Sequence, residues 1–234
     1  TKSRSVFSGF TFDWYIKLFH NGLIMKSLLN TVIVATVASI AATILGTAAA
    51  IGINNMKKLP RTIVMQGTNI PIINPEIVTG VSLMLLFVFF AARMNFEFGF
   101  VTLIIAHITF DVPYVILNIM PKFRQMNPHL YEAAQDLGAN PVQVFFKAVL
   151  PLSMPGVMSG IMMVFMPTIS TFAIAELLTM NNIKLFGTTI QENINNSMWN
   201  YGAALSLIML LLIAATSLFS TDDKDNMNEG GGLW

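Results

Sequence analysis

Cysteine is absent from the 234 residues, which removes disulfides, thiol nucleophiles and thiolate metal sites together and leaves the redox compartment undetermined. Charge is scarce: Asp, Glu, Lys and Arg make up 11% of the chain against 54% hydrophobic residues, with a formal net charge of +1. Such a balance argues against a nucleic-acid surface, whose phosphates call for an excess of Lys and Arg. No Gly-x-x-x-x-Gly-Lys-[Ser/Thr] phosphate cradle occurs, so any ATP hydrolysis must lie on another polypeptide. No His-Glu-x-x-His motif or similar cluster occurs either, which speaks against a membrane-embedded enzyme and leaves no catalytic residue, metal ligand or directly bound cofactor to expect. What remains is apolar. A positive mean hydropathy marks a polytopic membrane protein, not a soluble domain.

A hydrocarbon core of about 30 Å takes about 20 residues of helix. Five apolar runs of that order occur, over 27–53, 62–92, 100–120, 150–175 and 199–220. All are expected to be helices, because lipid offers no water to satisfy an exposed backbone, so the fold class is an all-α, polytopic transmembrane helical bundle. Lys57, Lys58 and Arg61 sit between the first two runs with no acid beside them, which assigns that loop to the cytoplasm. Alternation then puts 93–98 and 176–198 outside, and puts inside the long loop 122–147, with its Lys122, Arg124 and Lys147. Three regions are expected: an extracytoplasmic segment 1–26, a transmembrane domain 27–220 containing a cytoplasmic loop 121–148, and a disordered cytoplasmic tail 221–234 rich in Asp222, Asp223, Asp225 and Glu229. Within the first, residues 10–19 form an amphipathic pattern that places Trp14 and Tyr15 at headgroup depth on the outer surface. Lys2, Arg4 and Lys17 fit an outer location poorly and the chain starts without methionine, so a preceding helix is expected.

The inner loop carries two helix starts and one stop. Asn127 before Pro128 supplies an N-cap and a proline at the first helical position, and Gly138 supplies a left-handed stop. Asn140 and Pro141 repeat the start signal, with Gln143 where a capping-box partner stands, and Val142, Val144, Phe145 and Phe146 carry the chain toward Pro151. Such a hairpin either lies on the lipid surface or docks to another protein. Glu132, Gln135 and Asp136, interspersed with the small Ala133 and Ala134, favour docking, since a lipid-surface helix carries Lys and Arg.

These residues resemble a known family, the membrane permeases of ATP-binding-cassette importers, marked by Glu-Ala-Ala, three residues, Gly and then Leu-Pro about ten residues on. Glu132, Ala133, Ala134, Gly138, Leu150 and Pro151 match, while Ala148 departs from the isoleucine usual there. Segments 9–15, 74–78 and 107–114 extend the likeness to the second permease of spermidine/putrescine importers. The resemblance implies a type I importer permease fold with an additional helix before Thr1, in a bacterial cell membrane. It also implies partners: a homologous second permease in a heterodimer, a dimeric cytoplasmic ATPase that consumes ATP, and an extracytoplasmic polyamine-binding protein. By similarity, the helix around 132–137 is a coupling lever whose Glu132 and Asp136 face basic residues of the ATPase, with Gly138 permitting the turn. Pro151 and Pro155 interrupt the join to the fourth span and pass rotation into the pathway.

Solute class is read from polar groups within the spans. Glu76, Asp111 and Glu176 are acidic, while no Lys or Arg interrupts any apolar interior, a pattern suited to a cation. Each acid has two readings. Glu76 follows Asn74-Pro75, where an acid in the first helical turn is stabilised by the helix dipole. Asp111 precedes Pro113, which frees the Thr109 carbonyl, so both could hold a cationic amine. Glu176 is either a pathway group or simply faces the medium. Tyr114 and Trp199 are candidates for cation–π contact, with interface anchoring the alternative for Trp199. His107 is read as a buried hydrogen-bonding histidine or a proton relay. Gly156 and Gly160 share one face of the fourth span, a surface for close helix approach, and the 16 methionines fill irregular helix contacts. Competing functions are a permease for iron or an oxyanion, the latter weakened by the lack of arginine in the spans, and a passive channel.

Overall fold

A computed structural model describes residues 11–73, 76–94, 97–126, 129–180 and 182–229. The expected N-cap at Asn127 and Pro128, and the Asn74-Pro75 start, lie outside them. Among the described residues every regular element is helical: α1 Asp13–Phe19, α2 Gly22–Asn54, α3 Lys58–Ile73, α4 Glu76–Met94, α5 Phe100–Gln125, α6 His129–Asp136, α7 Pro141–Val144, α8 Leu150–Ser170, α9 Ala173–Thr179, α10 Phe186–Asn195 and α11 Trp199–Glu229. Five stretches are long and apolar enough to cross a membrane: Gly22–Asn54, Glu76–Arg93, Phe100–Gln125, Val142–Ser170 and Trp199–Ser217. The expected five-span, all-α architecture is present.

The boundaries differ from the sequence reading where local chemistry intervenes. α2 starts at Gly22 and not near Ser27, because Asn21 Oδ1 accepts the Leu23 amide at 3.1 Å and caps the helix. The second run, expected as one span over 62–92 with a broken segment at 71–75, divides into α3 and α4. Pro71 sits inside α3, and no residue of α3 is buried. The fourth run stops at Ser170, short of the expected Ala175. A Cβ at Gly187 would lie 2.4 Å from the Thr171 carbonyl oxygen, so that glycine alone lets the start of α10 press against the chain where α8 ends. The backbone of α11 stays helical to Glu229, past the Ser220 at which the span was expected to end.

The chain forms two compact units. One gathers the described residues of 1–38, 75–107 and 165–219, the other those of 39–74, 108–164 and 220–234. The first has two cores. Leu18, Ile24, Ala35, Phe186 and Leu205 join α1, α2, α10 and α11. Val34, Phe87, Leu103, Ile174 and Leu178 join α2, α4, α5 and α9. Trp14 and Tyr15, both half-buried, pack against the first of these cores, and Trp14 meets Tyr201 edge-on at 5.3 Å. The outward stripe of α1 is Phe12, Ile16 and Phe19, more than half exposed and spaced by a helical turn.

In the second unit Ala42, Ala50, Val115, Ile119, Phe123 and Val157 join α2, α5 and α8. The two glycines of α8 lie on the face that meets α5, as their spacing predicts. A Cβ at Gly156 would approach Lys122 Cγ to 2.7 Å, while one at Gly160 would make ordinary contact with Val115 Cγ1 at 3.8 Å.

Candidate functional site

The hairpin of α6 and α7 lies wholly in the second unit. Its corner is a Schellman motif: the Ala139 amide donates to the Ala134 carbonyl at 3.2 Å, and the Gly138 amide to the Gln135 carbonyl at 2.8 Å. Gly138 has φ +84°, a conformation in which a Cβ is strained. The second helix opens with the expected reciprocal cap. The Gln143 amide donates to Asn140 Oδ1 at 2.8 Å, and the Asn140 amide to Gln143 Oε1 at 3.0 Å. Both ends of the corner are therefore held by side chains and turns of the hairpin itself.

What the hairpin presents outward is mixed. Glu132 is exposed and pairs with His129 at 3.1 Å, and Ala133 and Asp136 are exposed while Ala134 is half-buried. Leu137 is 90% exposed, Val142 64% and Phe146 60%, whereas Val144 is buried. Three exposed large apolar side chains near one corner are of the kind that protein contacts cover. Sequence reasoning placed Leu137 in the lever by resemblance and took Val142 and Phe146 as part of the apolar run toward Pro151. The available signal was the pairing of Val142 with Phe146 at i, i+4 around an inward Val144.

Beyond the hairpin, Phe145–Val149 form a π-helical turn, in which the Leu150 amide reaches the Phe145 carbonyl. Pro151 and Pro155 lie inside continuous α8 and do not break it. A proline ring clashes with the carbonyl four residues back and offers no N–H, and a widened turn accommodates both effects. Leu150 is half-buried and Pro151 exposed. The residues for which the resemblance implies a coupling role, Glu132, Ala133, Ala134, Asp136, Gly138, Leu150 and Pro151, lie on the stretch that leads into a membrane-length helix.

The candidate pathway residues divide between the units. Glu76 and Glu176 belong to the first, Asp111 and Tyr114 to the second. Glu76 sits in the first turn of α4, half-buried, and accepts a hydrogen bond from Thr171 Oγ1 at 2.5 Å. Glu176 is exposed in α9, not at the end of a span, and its amide donates to the Phe172 carbonyl at 3.0 Å. Asp111 is 2% exposed in the middle of α5 and is engaged in an interaction, and Tyr114, half-buried one turn on, tilts against Phe110 at 5.6 Å. His107 Nδ1–H donates to the Leu103 carbonyl at 2.9 Å within its own helix. Its Nε2 is buried without a partner among the described residues.

A sequence profile for the inner membrane component of binding-protein-dependent transport systems matches residues 23–221. The chain belongs to this family. Among its relatives, the spermidine/putrescine transport system permease protein PotC of Haemophilus influenzae is 30% identical over 220 residues, covering 91% of this chain and 81% of its own. The putrescine transport system permease protein PotI of Escherichia coli is 32% identical over 185 residues, covering 75% of this chain and 64% of its own. The permease also shares its fold with solved transporters. The bacterial alginate ABC transporter, crystallised with an alginate pentasaccharide-bound periplasmic protein, matches at a TM-score of 0.75 with 17% identity, over 90% of this chain and 81% of that one. The methionine transporter MetNI in an inward-facing conformation matches at 0.66 with 17% identity, over 86% and 96%. The permease is therefore a multi-pass membrane subunit of an ABC importer, and the resemblance carried by Glu132, Ala133, Ala134, Gly138, Leu150 and Pro151 is borne out at the level of the family.

Proposed function

We propose that this permease forms half of the translocation pathway for polyamines in a bacterial inner membrane. It pairs with a homologous permease, receives solute from an extracytoplasmic polyamine-binding protein and is driven by a dimeric ATPase on separate chains. The observation that carries the reading is the hairpin corner. Gly138 and the Asn140–Gln143 cap hold a rigid elbow whose tip exposes Leu137, Val142 and Phe146, and a π-helical turn joins that elbow to α8. A hairpin whose corner is fixed in this way can transmit a partner's stroke into the helix it leads to. Glu132 and Asp136 add acidic contacts for a basic groove, which set orientation more than affinity.

The polyamine assignment is supported by the names of the relatives and by the charge of the spans. Asp111 is buried, no Lys or Arg interrupts the apolar interiors, and a carboxylate at that depth favours an organic cation over an anion. ATP is used by the partner subunit, and this chain contributes no catalytic group to its hydrolysis.

The test is uptake of labelled spermidine and putrescine into vesicles holding the chain with its co-expressed partners, with and without internal ATP. ATP-dependent uptake that unlabelled polyamine suppresses, and that Leu137→Asp abolishes along with ATPase copurification, is the expected result. Uptake that an iron chelate or an oxyanion competes away while polyamine does not would overturn the solute assignment. Uptake indifferent to ATP would overturn the importer reading in favour of a channel.

A further inference from the structure

The inner ends of α3 and α5 form a feature that the transport reading leaves unused. In the second unit a cavity of about 410 Å³ is lined by Met65 of α3 and by Leu117, Met120, Pro121, Arg124 and Gln125 of α5. Its walls are apolar and its mouth is polar. Arg124 and Gln125 are exposed, Met120 is 1% exposed, and Met65 and Leu117 are half-buried. The volume lies within the range of sites that hold a small ligand or a length of hydrocarbon chain.

Arg124 is the charged residue of the lining, and further basic residues flank the lining residues in sequence. Lys57, Lys58 and Arg61 stand at the start of α3, and Lys122 and Arg124 at the end of α5, whereas no Asp or Glu occurs between Asp111 and Glu132 or anywhere over 39–74. Arg61 Nη2 reaches Asn54 Oδ1 at 3.4 Å and Met120 Sδ at 3.6 Å, which sets its guanidinium against a wall of the cavity. Its Nε is buried and has no acceptor among the described residues. Among the described residues no ion pair joins Arg61, Lys122 or Arg124 to a carboxylate. This is the cytoplasmic end of both helices by the positive-inside rule. An apolar slot opening under guanidinium groups at that depth is complementary to one class of molecule: a lipid with a hydrocarbon chain and an anionic headgroup.

We infer that this cavity is a binding site for an anionic phospholipid of the cytoplasmic leaflet. The phosphate sits on Arg124 with Gln125 donating beside it, and the upper part of one acyl chain lies over Met65, Leu117 and Pro121. Arginine suits the role, because its planar fork meets two phosphate oxygens at once. The site concerns how the subunit is anchored and does not depend on which solute is carried.

Native mass spectrometry of the full chain, released from detergent with phosphatidylglycerol or with phosphatidylcholine of the same acyl chains, tests the inference. Phosphatidylglycerol is expected to be retained preferentially, and Arg124→Gln is expected to lower that preference about fivefold. Arg124 is exposed, so its replacement spares the fold, and Met65→Gln on the opposite wall is expected to lower retention of phosphatidylglycerol as well. Lys58 does not line the cavity, and Lys58→Gln, which removes the same charge from the start of α3, is expected to leave the preference unchanged. Equal retention of the two lipids would overturn the site. So would a loss in Lys58→Gln as large as in Arg124→Gln, which would reduce the effect to diffuse surface charge, or protection of the cavity only by a second protein chain.

Discussion

The Thr171 hydroxyl donates to Glu76 Oε1, binding the first turn of α4 to the break between α8 and α9 across 95 residues of sequence. A hydrogen bond to a charged group at a part-buried site contributes about 2 kcal/mol, and its loss leaves the carboxylate desolvated without a donor. Thr171→Val is therefore expected to lower the thermal midpoint in detergent by several degrees. Glu76→Gln keeps an acceptor oxygen and is expected to cost less. Equal midpoints for wild type and Thr171→Val would remove the structural role of Glu76 and return it to the pathway.

Gly138 is the one described glycine held at positive φ. An alanine there costs about 1 kcal/mol of backbone strain, whereas asparagine visits the left-handed region more readily. Gly138→Ala is expected to reduce ATP-driven uptake more than Gly138→Asn, with total protein in the membrane unchanged because the corner is exposed and local. The measurement is initial uptake rate per copy; the reverse order of the two variants would show that φ at the corner is not what the lever needs.

The reciprocal bonds between Asn140 and Gln143 are geometrically complete, so they couple. Each alanine replacement is expected to cost about 1 kcal/mol of local helix stability, and the double replacement less than the sum. Hydrogen exchange at the amides of residues 140 and 143 reads this directly. Strict additivity would mean that the two side chains do not act as one cap.

Much of this was legible in the sequence because it rests on local rules. Five apolar runs became five spans, and Gly138, Asn140 and Gln143 took the stop and cap roles their types predict. What escaped depends on tertiary packing. The close approach of α10 to the chain just after α8 depends on Gly187, 17 residues beyond Ser170, because only a glycine admits the Thr171 carbonyl there. The packing of Trp14 and Tyr15 on a core completed by Tyr201 and Leu205, far along the chain, is a contact that a helical-wheel reading of residues 10–19 cannot contain. Pro151 and Pro155 were legible as disturbances, but the π-helical turn just before Pro151 was not, since periodicity carries no sign of which neighbour gives way.

The paired glycines of α8 separate a tight contact from a looser one. A Cβ at Gly156 meets the Lys122 stem at 2.7 Å, while one at Gly160 meets Val115 at 3.8 Å. Gly160→Ala is expected to be nearly neutral. Gly156→Ala forces the flexible lysine stem aside at modest cost, and Gly156→Leu pushes α5 and α8 apart and lowers the yield of folded protein. Thermal unfolding in detergent ranks the three, and equal effects at 156 and 160 would contradict the observed packing.

Asp111 is the acid for which structure and transport make different demands. A carboxylate 2% exposed in the apolar α5 persists only with a partner, and it is engaged. If its task were packing alone, Asp111→Asn would shift the melting temperature and leave the apparent affinity for polyamine unaltered. As a cation site, the same change is expected to raise KM for spermidine about tenfold or more with little effect on folding, since removing one partner of a buried charge pair costs several kcal/mol. Glu176→Gln supplies the control. Its side chain is exposed in α9, and its replacement is expected to leave KM within about twofold, as for most exposed positions. Uptake that depends on Glu176 and not on Asp111 would move the cation site from the second unit to the first.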